Sequence, residues 1–203
     1  MRRYITWLLT FIVLFAVPAA AHAAADRAEA EKVGLMLKGK LDTVLELLED
    51  KNLPEVKMKQ RIMAVVEPVI DFEIMAKLTL GRANWGRLSA SEQDQFIRLF
   101  VEQLKASYLD KTTLYSGQTV RLGKSRAQAG KIQVPMELET SDKTVTVLYK
   151  FYPKGENWKV YDVVINGVSL IKSYRSQFNE ILQSGSVEDL FKALKKDTDR
   201  EAG

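Results

Sequence analysis

Cysteine is absent from all 203 residues, and histidine occurs once, at position 22. The first absence excludes disulfides, a thiol nucleophile and the lipid-acceptor cysteine of a lipoprotein. The second leaves everything after His22 without an imidazole. Histidine triads, histidine metal sites and histidine acid–base catalysis are therefore excluded downstream. A large charge of one sign is also lacking. Thirty basic residues face 26 acidic ones, and two of the basic residues are Arg2 and Arg3 at the extreme N-terminus. Without those two the formal net charge falls from +4 to +2. The chain carries no field for a polyanion, and no nucleic-acid partner is expected.

Arg2 and Arg3 precede an apolar run, Leu8 to Val17, and then small residues around Ala21-His22-Ala23. A basic start, a short apolar run and small residues at cleavage spacing make a secretory signal peptide. Cutting is expected after Ala23, giving a leader of residues 1–23, or alternatively after Ala25. A membrane anchor is the other reading, but a span needs about 20 apolar residues. The residues after Arg2-Arg3 fit a twin-arginine signal poorly. Residues 24–203 are then one exported domain, soluble after processing and long enough for a sizeable core.

Four helices are expected first. Asp26 to about Asp50 carries an apolar stripe of Val33, Leu37, Leu41, Val44, Leu45 and Leu48. Asn52-Leu53-Pro54 breaks it, and a second helix runs from Pro54 to about Glu67. A third, Phe72 to Leu80, has Asp71 as N-cap and ends at Gly81. Ser89 and Glu92 form a capping box that opens a fourth, reaching about Leu109 with Phe96, Leu99, Phe100, Leu104 and Tyr108 on one face.

From Gly117 the pattern becomes extended. Strands are expected over Gln118–Leu122, Lys131–Glu139 and Thr144–Tyr152, with turns at Ser141-Asp142-Lys143 and Pro153 to Asn157. Pro135 removes a ladder donor, so its strand is expected at an edge or bulged. In Trp158 to Phe178, Val160, Asp162 and Val164 alternate with Lys159, Tyr161, Val163 and Ile165. Asn166-Gly167 then turns the strand directly into a helix with Leu170, Ile171, Tyr174, Phe178, Ile181 and Leu182 on one face. That helix ends at Ser184-Gly185. Ser186 caps a short last helix, and the charged tail after Lys195 is expected to fray. The result is an α+β fold with a mostly antiparallel sheet covered by helices.

The last strands carry bulky apolar groups on both faces. A curved sheet with helices on one face and partial cover on the other accounts for this. So does a cavity enclosed between helices and sheet, for which the adaptable Met58, Met63, Met75 and Met136 are suited. Lys77, Arg82, Arg87, Lys172 and Arg175 flank the apolar segments, and an arginine fork matches a phosphate. Each of them is equally explained as a surface charge.

Leu80-Gly-Arg-Ala-Asn-Trp-Gly-Arg-Leu-Ser89 resembles the "LG…W…S" segment of the MlaC family, bacterial periplasmic phospholipid carriers also called toluene-tolerance or ABC-transporter auxiliary proteins. Phe96 to Tyr108 is similar to that family's "F…F…Y" helix. Val160 to Leu170 followed by Tyr174-Arg-Ser-Gln-Phe178 resembles its most distinctive block. The likeness spans nearly all of residues 24–203. It implies a nuclear-transport-factor-two-like (cystatin-like) sheet with an added helical part, and an apolar pocket that holds phospholipid tails and leaves the headgroup near solvent. It also implies two partners, an outer-membrane lipoprotein–porin complex and an inner-membrane ABC transporter complex with a substrate-binding membrane subunit. The family has no catalytic residues to carry over. No cofactor or metal is expected, only bound phospholipid as cargo.

Under that resemblance the expected tail-lining residues are Phe72, Met75, Phe100, Leu104, Val147, Tyr149, Val164 and Tyr174, with Val164 and Tyr174 facing each other. Arg82 and Arg175 are the expected phosphate contacts, unless Arg175 forms an ion pair with Asp162. Two rivals stand beside the carrier. One is a binding or chaperone module for other hydrophobic cargo. The other is a small-ligand enzyme on the same fold, with Asp162 near Tyr149 as its one nominated pairing.

Overall fold

The computed structural model describes residues 19–109, 117–140 and 143–201. Residues 1–18 of the expected leader and the turn residues Ser141 and Asp142 lie outside them. Helices α1 (Ala19–Glu49), α2 (Glu55–Val66), α3 (Phe72–Trp85) and α4 (Ala90–Leu109) come first. Strands β1 (Thr119–Leu122), β2 (Arg126–Gln128), β3 (Lys131–Glu139), β4 (Thr144–Lys154), β5 (Asn157–Ile165) and β6 (Val168–Ser169) follow. Helices α5 (Leu170–Ser184) and α6 (Val187–Glu201) close the chain. The sheet is antiparallel in the order β1-β3-β4-β5-β6, and β2 also pairs with β3.

Local chemistry sets the boundaries. The Ser89 N–H and hydroxyl donate to Glu92 at 2.7 and 2.6 Å, and the Glu92 N–H returns to the Ser89 oxygen at 3.3 Å. Ser186 and Asp189 repeat the device at the start of α6. That helix is longer than expected, because Leu190, Phe191 and Leu194 bury its first turns and the helix continues through the charged tail. Gly81 does break α3, with φ +70, and one further turn follows before Gly86.

Pro135 is not at an edge. Strand β3 is flanked on both sides, and Pro135 lies opposite the gap between β1 and β2. Its carbonyl accepts from the Gly123 N–H at 2.8 Å, so its donor-less nitrogen faces the same gap. A Cβ at Gly123 would come within 2.9 Å of the proline ring, which is why glycine stands there. Strand β2 was unforeseen. It turns into β3 through Ala129 and Gly130, both at positive φ, the geometry of a two-residue hairpin. Asn166 and Gly167 make a second such turn, so a short return strand, β6, separates β5 from α5.

The departure with most consequence is in β5. Lys150 pairs with Asp162 but Phe151 pairs with Val160, so Tyr161 and Asp162 together oppose Lys150. This bulge shifts the alternation. Val160, Val163 and Ile165 share a face with Phe151, Tyr149 and Val147, while Asp162 and Val164 point the other way.

Burial divides into two clusters. Phe96, Phe100, Tyr174 and Phe178 interlock at ring separations of 5.3–6.3 Å among α4 and α5, joined by Met75 and Leu80 of α3 and Leu190 and Leu194 of α6. A thinner cluster sets Ala30, Val33 and Leu37 of α1 on Ile132, Val134, Phe151 and Val160 of the sheet.

Buried Asp162 fastens the sheet to α5. It accepts from the Ser169 hydroxyl at 2.9 and 3.0 Å, from the Ile171 N–H at 3.3 Å and from Lys150 at 3.0 Å. Removing it leaves those donors without an acceptor. Asp162→Ala is expected to lower unfolding stability by about 2–4 kcal/mol in urea titration. A loss below about 0.5 kcal/mol would show that this junction is held by packing alone.

Candidate functional site

Between the two clusters the protein is hollow. A cavity of about 360 Å³ lies against the inner face of β4 and β5. Leu37, Leu41 and Val44 of α1 and Ile62, Met63, Val65 and Val66 of α2 form one wall. Val147 and Tyr149 of β4 with Val160, Val163 and Ile165 of β5 form the other. Val69, Ile70, Phe72, Met75, Leu104 and Leu170 complete the lining, and Lys40 and Lys105 bring its only charges among the described residues. Leu41, Val44, Met63, Val65 and Val66 are only half-buried, because the stripes of α1 and α2 face the hollow.

Five of the eight expected tail-lining residues stand on this wall: Phe72, Met75, Leu104, Val147 and Tyr149. Phe100 and Tyr174 do not. Their rings meet edge to face at 5.3 Å inside the helical cluster. Val164 is turned to the opposite face by the bulge, and so it does not face Tyr174 across the hollow. Of the four methionines, Met63 and Met75 line the cavity, while Met136 lies behind Tyr149, whose hydroxyl is 3.9 Å from its sulfur.

Neither arginine lines the cavity. Arg175 donates through Nε at 2.8 Å, and through Nη2, to the Leu78 carbonyl that the break at Gly81 leaves open. It holds the kink of α3, and its foreseen ion pair with Asp162 is replaced by Lys150. The pairing of Asp162 with Tyr149 is absent as well, since Tyr149 pairs with Val163 and the two side chains point to opposite faces. Burial pushes the Tyr149 phenol up to about 12, so it stays neutral in the wall.

The lining residues of α1 were legible as an apolar stripe but not as a cavity wall. Lys40 and Lys105 carried no signal that set them apart from other helix lysines. Lys105 bonds Glu67 at 2.8 Å, and Lys40 has no hydrogen-bond or ion-pair partner among the described residues.

The family model described as MlaC protein matches residues 38–196. The chain belongs to the MlaC family. It is 27% identical over 162 residues to the toluene tolerance protein ttg2D of Pseudomonas putida, covering 75% of this chain and 74% of that one. It is 24% identical over 136 residues to the intermembrane phospholipid transport system binding protein MlaC of Haemophilus influenzae, covering 64% of this chain and 63% of that one. Among solved structures it is similar to a phospholipid-binding protein from Ralstonia solanacearum in complex with a phospholipid, with TM-score 0.72 and 25% identity. That match covers 84% of this chain and 98% of that one.

In this MlaC-family chain Asp71 fixes the helix that carries Phe72 and Met75 to the cavity. It caps α3 by accepting from the Ile74 N–H at 3.1 Å. It also accepts from Lys154 at 2.6 Å and from the Tyr152 hydroxyl. Burial alone would push the Asp71 carboxyl up, but bonds from Lys154, Tyr152 and Ile74 together hold it below 3.8. A depressed carboxylate stabilises the fold above its unfolded pKa and loses that contribution as pH falls through the folded value. Asp71→Asn is therefore expected to destabilise the protein near pH 7 and to flatten the decline of stability from about pH 5 downward. Urea midpoints at pH 7, 5 and 3 check this. Parallel declines in both proteins would place the acid sensitivity elsewhere.

Proposed function

We propose that this chain is a periplasmic phospholipid carrier. Its cavity takes acyl tails, and it moves lipid between an outer-membrane lipoprotein–porin complex and an inner-membrane ABC transporter complex with a substrate-binding membrane subunit. The observation that carries this reading is the hollow itself, bounded by helix stripes and sheet and lined by apolar side chains with two lysines. The relatives' names and the phospholipid in the similar Ralstonia solanacearum structure agree with it.

The energetics suit a shuttle. Withdrawing an acyl chain from a bilayer into water costs roughly 0.8 kcal/mol per CH₂, so two ordinary tails meet a barrier on the order of 20 kcal/mol. Moving them into a cavity lined by apolar side chains avoids most of it. Such transfer needs no bond made or broken, and the cavity wall offers neutral Tyr149 and two ammonium groups as its titratable set. Direction is then supplied by the partners that load and unload the carrier.

Purified protein extracted into organic solvent should yield diacyl phospholipid at about one molecule per chain by mass spectrometry. Reproducible absence of lipid from folded protein overturns the proposal. Val147→Trp places a large ring on the β4 wall and should cut occupancy severalfold while leaving the helical cluster, and thus the fold, intact. Full occupancy in that variant would show that tails do not pass Val147.

A further inference from the structure

A second hollow of about 300 Å³ adjoins the first beneath α1. Glu29, Lys32, Val33 and Met36 line it from the N-terminal half of α1, and Trp158 and Lys159 from the start of β5. Lys40 and Val69 belong to both walls. The two spaces therefore follow one another along α1, with Leu37, Leu41 and Val44 over the apolar one and a mixed polar rim over its neighbour. An amphipathic ligand with its tails in the first would meet the second at the polar end.

Of the charged side chains of this annex, Glu29, Lys32 and Lys159 are engaged within it, while exposed Glu156 and half-buried Lys40 have no partner among the described residues. Glu29 accepts from the Trp158 indole at 2.9 Å and lies 3.8 Å from Lys32. Lys159 donates to the Pro68 carbonyl. Lys40 sits where apolar lining gives way to polar. An ammonium group carries three donors, and with no protein acceptor among the described residues they are left to solvent or to a ligand. A phosphate monoanion at the boundary between tails and headgroup would complete it.

We propose that the annex is the headgroup site and that Lys40 binds the lipid phosphate. This rests on the carrier reading and deepens it. The site reads the phosphate, not the substituent beyond it, because the annex remains half open to solvent and sets no tight limit on headgroup size. Lys105, the other lysine of the apolar wall, is tied to Glu67 and takes no part.

The test incubates lipid-stripped protein with vesicles of phosphatidylethanolamine and phosphatidylglycerol containing a fixed fraction of diacylglycerol, which has tails but no phosphate. Bound lipids per chain are counted by mass spectrometry for the parent, Lys40→Met, Lys40→Arg, the rival Lys105→Met and, as control, Lys38→Met, an exposed α1 lysine that lines neither hollow. Lys40→Met should take up about fivefold less of both phospholipids, as expected for a partly screened charged hydrogen bond, with diacylglycerol uptake unchanged. Lys40→Arg should restore the parent's ratio, and Lys38→Met should keep it. An unchanged ratio in Lys40→Met overturns the proposal, as does a loss that diacylglycerol shares or one that appears in Lys105→Met instead. A parent that holds diacylglycerol but no phospholipid also overturns it. Uptake of no lipid by the parent removes the carrier reading itself, and the headgroup site with it.

Discussion

Two backbone hydrogen bonds hold the interior open. The Asp71 N–H donates to the Val160 carbonyl, and the Val160 N–H donates to the Val69 carbonyl, each at 2.9 Å. They make Ile70 a parallel partner of Val160 and stitch the link between α2 and α3 along the edge of β5. Because the link is bound there, α3 begins at the sheet and α2 ends beside it. The α1–α2 pair thus spans the inner face, with the N-terminal half of α1 packed on the sheet and α2 across the hollow from it. Asp71 adds a side-chain clamp at the same point through Lys154 and Tyr152. Rigidity at this seam and emptiness behind it are two aspects of one arrangement.

The two clusters divide the labour. The aromatic cluster among α3, α4, α5 and α6 is filled, and it supplies the burial that a single domain needs. With stability secured there, the side of the sheet under α1 and α2 can be left incomplete. Apolar residues facing a cavity forgo contacts they would otherwise make. A ligand of similar polarity restores them, and such a site prefers flexible apolar guests over those needing directional bonds.

The helices, most strands, the Ser89–Glu92 capping box and the Ser186 cap were legible because each depends on residues within four positions of one another. Ser89 with Glu92 is local chemistry, and so is the Ser186 cap, whose partner Asp189 came from the structure. What escaped depended on partners distant in the chain. The bulge at Lys150 and Phe151 is a relation between two strands, and by turning Val164 outward it removed one expected wall residue while placing Val163 and Ile165 inside. Periodicity showed that Phe100 and Tyr174 face something apolar, but could not distinguish a packed neighbour from empty space. Arg175 was foreseen as either a ligand contact or a structural group. Its true partner, the Leu78 carbonyl, is open only because Gly81 breaks the helix, a feature of backbone geometry that side-chain chemistry does not announce.

Strand β5 and helix α2 lie on opposite sides of the hollow, so a guest filling it would touch both and become part of the protein's own core. Loading then resembles the last step of folding more than the occupation of a preformed box. Release would return a chain missing part of its interior. The free energy that welcomes the guest and the free energy that steadies α1 and α2 are the same quantity, which makes the firmness of this hairpin a gauge of how full the protein is.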